Sequence, residues 1–185
     1  MRPHPEPGVS PPRVLVTGRP GSGKTTVIRR VIDMLADVPK TGFYTDEIRG
    51  SAGRTGFRVV TLDGRTARLA SLGHGPGPRV GRYTVHLADF EAIALPQLEM
   101  RPNDALLVID EIGKMECLSP GFVAAARRAL SASVPLLATV ALVGGGLVAE
   151  AKRAPGVAVV TVTPENRDHL PVELAARLRA ELRVK

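Results

Sequence analysis

One stretch constrains this chain more than any other, Gly18-Arg19-Pro20-Gly21-Ser22-Gly23-Lys24-Thr25-Thr26. It satisfies the phosphate-loop pattern G-x-x-x-x-G-K-[ST] through Gly18, Gly23, Lys24 and Thr25. A strand-like run, Arg13-Val14-Leu15-Val16-Thr17, precedes it, and a helix-like run over residues 27–35 follows. Strand, glycine-rich turn and helix in that order aim successive backbone N–H groups and the positive end of a helix dipole at one anion. Lys24 is then spaced to reach the outer phosphates of a nucleotide. The Thr25 hydroxyl is a hard oxygen donor of the kind magnesium takes.

A second feature lies further along. Ala105-Leu106-Leu107-Val108-Ile109 is an unbroken apolar run that ends in Asp110-Glu111. Such a run reads as a strand buried on both faces of a parallel sheet, with a carboxylate emerging at its carboxyl end. In a Walker-B role Asp110 holds magnesium directly or through water, with Thr25 on the other side of the ion. Glu111 is placed to take a proton from an attacking water or to orient it.

Between and beyond these motifs, strands and helices alternate. The helix after the loop puts Val27, Ile28, Val31, Leu35 and Val38 on one side, and Pro39 closes it. From residue 41 to 86 the texture becomes a set of short extended segments, residues 43–45, 57–62, 67–70 and 83–86. Turns at residues 50–53 and 63–64 separate some of them, so an antiparallel β insertion is expected. Residues 73–78 are too rich in glycine and proline for regular structure and read as a surface loop, with a lid over substrate as the alternative. Asp89 is expected to cap a helix reaching about Met100 and disturbed at Pro96. Ser119-Pro120 opens another helix. Strands over residues 134–140 and 157–162 follow, with a short helix to about Arg153 between them. A last helix over residues 171–183 carries Glu173/Arg177 and Arg177/Glu181 pairs. The expected fold class is therefore α/β, a mainly parallel sheet flanked by helices with an antiparallel β extension. Ligand belongs at the carboxyl ends of the parallel strands, where both Gly18 and Asp110 emerge.

The chain's 185 residues suit one domain over residues 13–185, with residues 1–12 as a flexible Pro-rich leader. Net charge is +7, yet no basic block exceeds two residues and aromatics are only 3% of the chain. That favours small anions over a nucleic-acid partner. A single cysteine, Cys117, gives no disulfide framework, and no apolar run reaches about 18 residues. A cytoplasmic protein without a membrane association is expected. A protein partner is left open.

Residues 18–26, 41–49, 80–85, 90–96, 108–116 and 163–168 resemble the signature blocks of the cancer-related nucleoside triphosphatase family, some of whose members are described as nucleotide kinases. The run Asp110-Glu111-Ile112-Gly113-Lys114-Met115-Glu116 is the most specific of these. The resemblance implies a RecA-like, phosphate-loop NTPase sheet. It also implies slow, magnesium-dependent hydrolysis of ATP, GTP and other nucleoside triphosphates to the diphosphate and phosphate, with loose base choice. It carries nucleotide binding onto the loop, Gly18 to Thr26, and onto a second segment, Leu106, Leu107, Val108, Ile109, Asp110, Glu111, Ile112 and Gly113. Arg167 would lie near the base. The expected catalytic residues are Glu111 and Lys24, and the expected metal ligands Thr25 and Asp110.

One departure stands out. Relatives often follow the Ala-Thr end of the penultimate strand with a proline and a basic residue. Here Ala138-Thr139 runs into Val140-Ala141-Leu142-Val143-Gly144. A cation for the transferring phosphoryl group is therefore missing there; Lys114, Arg82 and Arg49 are the candidates to replace it, and without one the enzyme would be slow or need a partner. Three functions remain open at this level: a triphosphatase, a kinase for a nucleotide or small metabolite, and a nucleotide-gated binding module with slow hydrolysis.

Overall fold

The computed structural model describes residues 12–51, 53–99, 105–132 and 134–182. In chain order the elements are β1 (Arg13–Thr17), α1 (Lys24–Met34), β2 (Lys40–Gly50), β3 (Gly53–Thr61), β4 (Thr66–Leu72), β5 (Arg79–Val80), β6 (Tyr83–Val85) and α2 (Leu87–Ala94). They continue with β7 (Leu106–Ile112), α3 (Pro120–Ser131), β8 (Leu136–Val140), α4 (Leu147–Arg153), β9 (Val157–Thr161) and α5 (Leu170–Leu182). Among the described residues all strands join one nine-stranded sheet in the order β5-β6-β4-β3-β2-β7-β8-β1-β9.

From β2 to β9 in that order every neighbour is parallel. From β2 through β3, β4 and β6 to β5 every neighbour is antiparallel. The parallel core with an antiparallel extension is the arrangement expected from the sequence. β8 separates the strand that feeds the phosphate loop from the strand that carries Asp110, and β8 pairs with both. Three parallel neighbours therefore deliver Thr17, Asp110 and Thr139 to one edge of the sheet.

Two apolar layers hold this edge rigid. One face carries α1 and α5: Val27, Ile28, Val31 and Leu35 lie within 1% of full burial and pack with Val14, Val16, Leu106, Val108 and Leu178. Burying each such aliphatic side chain contributes about 1.5–3 kcal/mol before conformational entropy is charged against it. The other face carries α2 and α3. There Phe43 of β2 meets Phe90 and Phe122 edge-on, with ring centroids 5.6 and 6.2 Å away. Ser119 caps α3 as expected, its Oγ accepting from the Phe122 N–H at 2.9 Å.

Glycine decides one contact in this sheet. At Gly42 φ is +125°, and a Cβ there would sit 1.9 Å from the Val108 carbonyl oxygen. β2 therefore lies flush against β7 only because residue 42 has no side chain.

Several elements differ from the sequence reading. β2 runs unbroken to Gly50, far beyond the short segment expected at residues 43–45, because cross-strand pairing with β3 sustains it where apolar alternation stops. Asp89 does not cap α2: the helix starts at Leu87 with His86 at the cap, and Asp89 occupies its first turn. The helix ends at Ala94 and gives way to a 3-10 turn over Leu95–Leu98, since Pro96 cannot donate the next helical hydrogen bond. Its expected end near Met100 lies outside the described residues, as does the leader up to residue 11. Pro12 is buried, and its carbonyl accepts from the Leu136 N–H at 2.8 Å. In α5 the Arg177–Glu181 pair forms at 3.2 Å, while Glu173 turns to His169 at 3.5 Å. The 73–78 loop packs beside β6 through Thr84 Oγ1, which donates to the Gly73 carbonyl at 2.7 Å.

Candidate active site

The phosphate loop emerges from β1 and returns as α1. Gly23 takes φ +97°, a left-handed angle, and α1 begins at the next residue without a side-chain cap. Its first N–H groups are left for a ligand rather than for a serine or aspartate. A turn in which Ser22 N–H donates to the Arg19 carbonyl at 3.1 Å shapes the loop. Ser22 Oγ is buried without a hydrogen-bond partner among the described residues. Lys24 folds back over the loop, its Nζ 3.5 Å from the Gly18 carbonyl. Arg19, Pro20 and Gly21 are exposed, and Gly18 is buried.

Asp110 is fully buried at the end of the central apolar run. Thr139 at the end of β8 donates to its Oδ1 at 2.5 Å, and the Thr45 N–H of β2 donates to Oδ2 at 3.3 Å. Burial pushes the Asp110 carboxyl above its ordinary value, while the hydroxyls of Thr139 and Thr25, the Thr45 amide and the Lys24 charge pull the other way. The Glu111 carboxyl is also raised, by burial first, with Lys24 opposing. Both motifs thus come together around Lys24 and Thr25. The donor set available to a cation is hard and incomplete, one hydroxyl and one carboxylate. That fits magnesium, which keeps waters and takes phosphate oxygens for its remaining positions. Among the described residues no group of three or more His, Cys, Asp and Glu forms a metal cage.

Glu116 is the feature that sequence reading left without a role. It is only 5% exposed, and burial, with the charges of Glu111 and Asp110 adding, pushes its carboxyl up to about 8. A Cβ on Gly113 would stand 2.9 Å from Glu116 Oε2 and 3.4 Å from Glu111 Cδ. Two carboxyl groups therefore share the bare backbone of residue 113.

A cleft of about 720 Å³ opens over the loop. It is lined by Pro20, Gly21 and Gly23 of the loop, by Lys24, Thr25, Thr26 and Arg29 of α1, by Glu111 of β7, and by Thr45, Asp46, Glu47, Arg49, Arg54 and Phe57 of β2 and β3. From the second expected nucleotide-binding segment only Glu111 reaches it. Leu106, Leu107, Val108, Ile109 and Ile112 are 1% exposed or less and belong to the apolar layers, because a central parallel strand is covered on both faces. Their side chains do not line this cleft: they fix where Asp110 emerges. Gly113 is buried too. Arg167 is exposed on the loop after β9. That loop starts beside the phosphate loop, where Val162 N–H donates to the Thr17 carbonyl at 2.7 Å, but Arg167 itself does not line the cleft. Of the three cation candidates Arg49 lines it. Lys114 is exposed elsewhere, and Arg82 lies over Tyr83 at 5.4 Å on the far strands of the sheet. The segment after Thr139 presents Leu142 and Val143 to solvent instead of a cation.

A glycine-rich loop between β1 and α1, a carboxylate at the end of a strand two places away, and a mixed sheet behind them define a RecA-like phosphate-loop protein of the α/β class. The model of the NTPase family matches residues 13–175, and the chain belongs to that family. It is 43% identical over 173 residues to the cancer-related nucleoside-triphosphatase of Homo sapiens, covering 85% of this chain and 91% of that one. It is 41% identical over 171 residues to the nucleoside-triphosphatase THEP1 of Thermofilum pendens, covering 89% and 93%. Among solved structures, THEP1 from Aquifex aeolicus superposes with a TM-score of 0.82 at 34% identity, covering 90% of this chain and 98% of that one. The human cancer-related nucleoside triphosphatase gives 0.77 at 40% identity, covering 91% and 98%.

Proposed function

We infer that this chain is a magnesium-dependent nucleoside triphosphatase that releases phosphate from ATP, GTP and other triphosphates with little regard for the base. The observation that carries the reading is the meeting of Lys24 and Thr25 with Asp110 and Glu111 at one edge of the sheet. The nucleoside-triphosphatases to which the chain is 40% identical or more support it.

In this mechanism the loop amides and Lys24 hold the β- and γ-phosphates. Thr25 and Asp110 would hold a magnesium ion, which would supply charge neutralisation for the phosphates. Asp110 is held in place by Thr139 and Thr45. Glu111 takes the proton of the attacking water, and its burial and raised carboxyl pKa make it a better base than a solvated glutamate. Recognition through the phosphates held by the loop would give loose base choice. No described helix is long and apolar enough to cross a membrane, and the chain's single cysteine suits the cytoplasm.

A phosphate-release panel over four ribonucleoside triphosphates, with magnesium or with chelator and with or without nucleoside and metabolite acceptors, tests this reading. The expected outcome is comparable release from all four, no release with chelator, and no dependence on acceptor. Diphosphate formed only in the presence of an acceptor, with the γ-phosphoryl group on that acceptor and no phosphate set free, would make the chain a kinase.

A further inference from the structure

Four guanidinium groups crowd two carboxylates on the arm formed by β2 and β3. Asp46 meets Arg58 at 2.7 Å and Arg29 at 3.9 Å, and Glu47 meets Arg49 at 2.6 Å and Arg54 at 3.0 Å. Each carboxylate offsets one of the two cations beside it, so the cluster keeps an excess of positive charge. Arg29, Arg49 and Arg54 line the cleft that also holds Lys24 and Glu111.

Strand geometry explains why these arginines reach the cleft. The parallel register of β2 with β7 ends at Phe43 and Ile109, and residues 44–50 run on for about 20 Å at ~3.3 Å per residue. The antiparallel partner β3 stiffens this overhang, with Glu47 opposite Phe57 and Arg49 opposite Arg54. The two-residue period puts Thr45, Glu47 and Arg49 on one face of β2. The Thr45 side chain reaches Asp110, its Oγ1 3.5 Å from Oδ2, so that face is turned toward the carboxylate end of the site.

The geometry points to Arg49 and Arg54 as the catalytic cations of this site, paired with Glu47 in this structure and transferred to the γ-phosphate oxygens in the substrate complex. The inference rests on the hydrolase reading. The side chain of Arg49 is 71% exposed and swings at little packing cost, while that of Arg54, 43% exposed, gives up its stacking on the Phe57 ring at 5.3 Å. A guanidinium fork grips phosphoryl oxygens in two places as readily as a carboxylate, and a triphosphate brings more charge than Glu47. In the reaction the water oxygen bonds to the γ-phosphorus while the bond from that phosphorus to the bridging oxygen breaks. The water proton goes to Glu111, and the electron pair leaves with the diphosphate. Charge on the three γ-oxygens is met by Lys24 from the loop and by Arg49 and Arg54 from the arm. The cation absent after Thr139 is thereby supplied from another element.

The test compares wild type with the double variant Arg49→Ala/Arg54→Ala. The double variant Arg49→Lys/Arg54→Lys keeps the charge. Arg65→Ala serves as a control, since Arg65 pairs with Asp63 at 3.1 Å on the turn between β3 and β4. Phosphate release from ATP, affinity for ADP, and affinity for ADP with aluminium fluoride are measured for each. The alanine pair should lose ~10³ in kcat and lose the aluminium fluoride complex, while ADP affinity stays within about twofold. The lysine pair should recover only part of the rate, because an ammonium cannot form the fork. Arg65→Ala should match wild type. A folded alanine pair that turns over at the wild-type rate would overturn the inference. So would a loss matched by equally weakened ADP binding, which would mark ground-state contacts only. Wild-type protein that releases no phosphate would remove the hydrolase reading and this inference with it.

Discussion

At the scale of single residues, the site divides into groups that announce themselves in the sequence and groups that do not. Lys24, Thr25, Asp110 and Glu111 stand in runs whose local grammar specifies their chemistry. Thr45 and Thr139 do not, because their roles are hydrogen bonds to Asp110 across 65 and 29 residues of chain, a separation no local pattern encodes. Glu116 was visible as a letter in a motif, but its burial against Gly113 was not. That burial makes a prediction. Folding raises the Glu116 carboxyl from 4.5 to about 8, so between those pH values the folded chain binds a proton that the unfolded chain has released. Stability must then fall as pH rises through this window, and the full cost is present above it. Glu116→Gln removes the titrating group. Its stability relative to wild type, read from urea unfolding, should rise from pH 5 to pH 9. A difference that is flat with pH would contradict the assignment.

At the scale of elements, β1, α1, β7 and α3 follow from apolar runs, periodicity and caps, and they were legible. The arm was not. Its β2 half reads Tyr44-Thr45-Asp46-Glu47-Ile48-Arg49, with too little apolar alternation to reveal a strand that long; pairing with β3 holds it. The exposed ion pairs contribute little to folding individually, so the arm depends on how β2 is seated against β7. Gly42 sets that seating. Gly42→Ala would force a Cβ into the Val108 carbonyl, and we predict destabilisation by about 3 kcal/mol or more. Turnover should fall more than ADP affinity, because the arm shifts while the phosphate loop does not. Thermal unfolding and kinetics on the same preparation check both halves, and unchanged stability would refute the close contact.

For the molecule as a whole, the sheet gathers three strand ends so that the phosphate loop, the buried aspartate and its threonine partner meet at one edge, with apolar layers on both faces keeping them there. The α/β class and the antiparallel extension were readable because strands alternate with helices and then cease to do so. The position of β8 between the two motif strands was not, since strand order is a property of packing. A ligand bound only by the folded state stabilises it, so under the proposed function magnesium-ADP at about 100 times its dissociation constant should stabilise the protein by ~2.7 kcal/mol. For a domain of this size that is an upward shift in Tm of roughly 5–11 °C. Lys24→Ala should abolish the shift, and a shift retained in that variant would detach the phosphate loop from nucleotide binding.

The central claim is that Glu111 activates water over a triphosphate held by the loop. Its most direct measurement is single-turnover phosphate release by Glu111→Gln beside its affinity for ATP. We expect ATP affinity close to wild type and release slowed by roughly 10² or more. Release at the wild-type rate would show that the proton goes elsewhere.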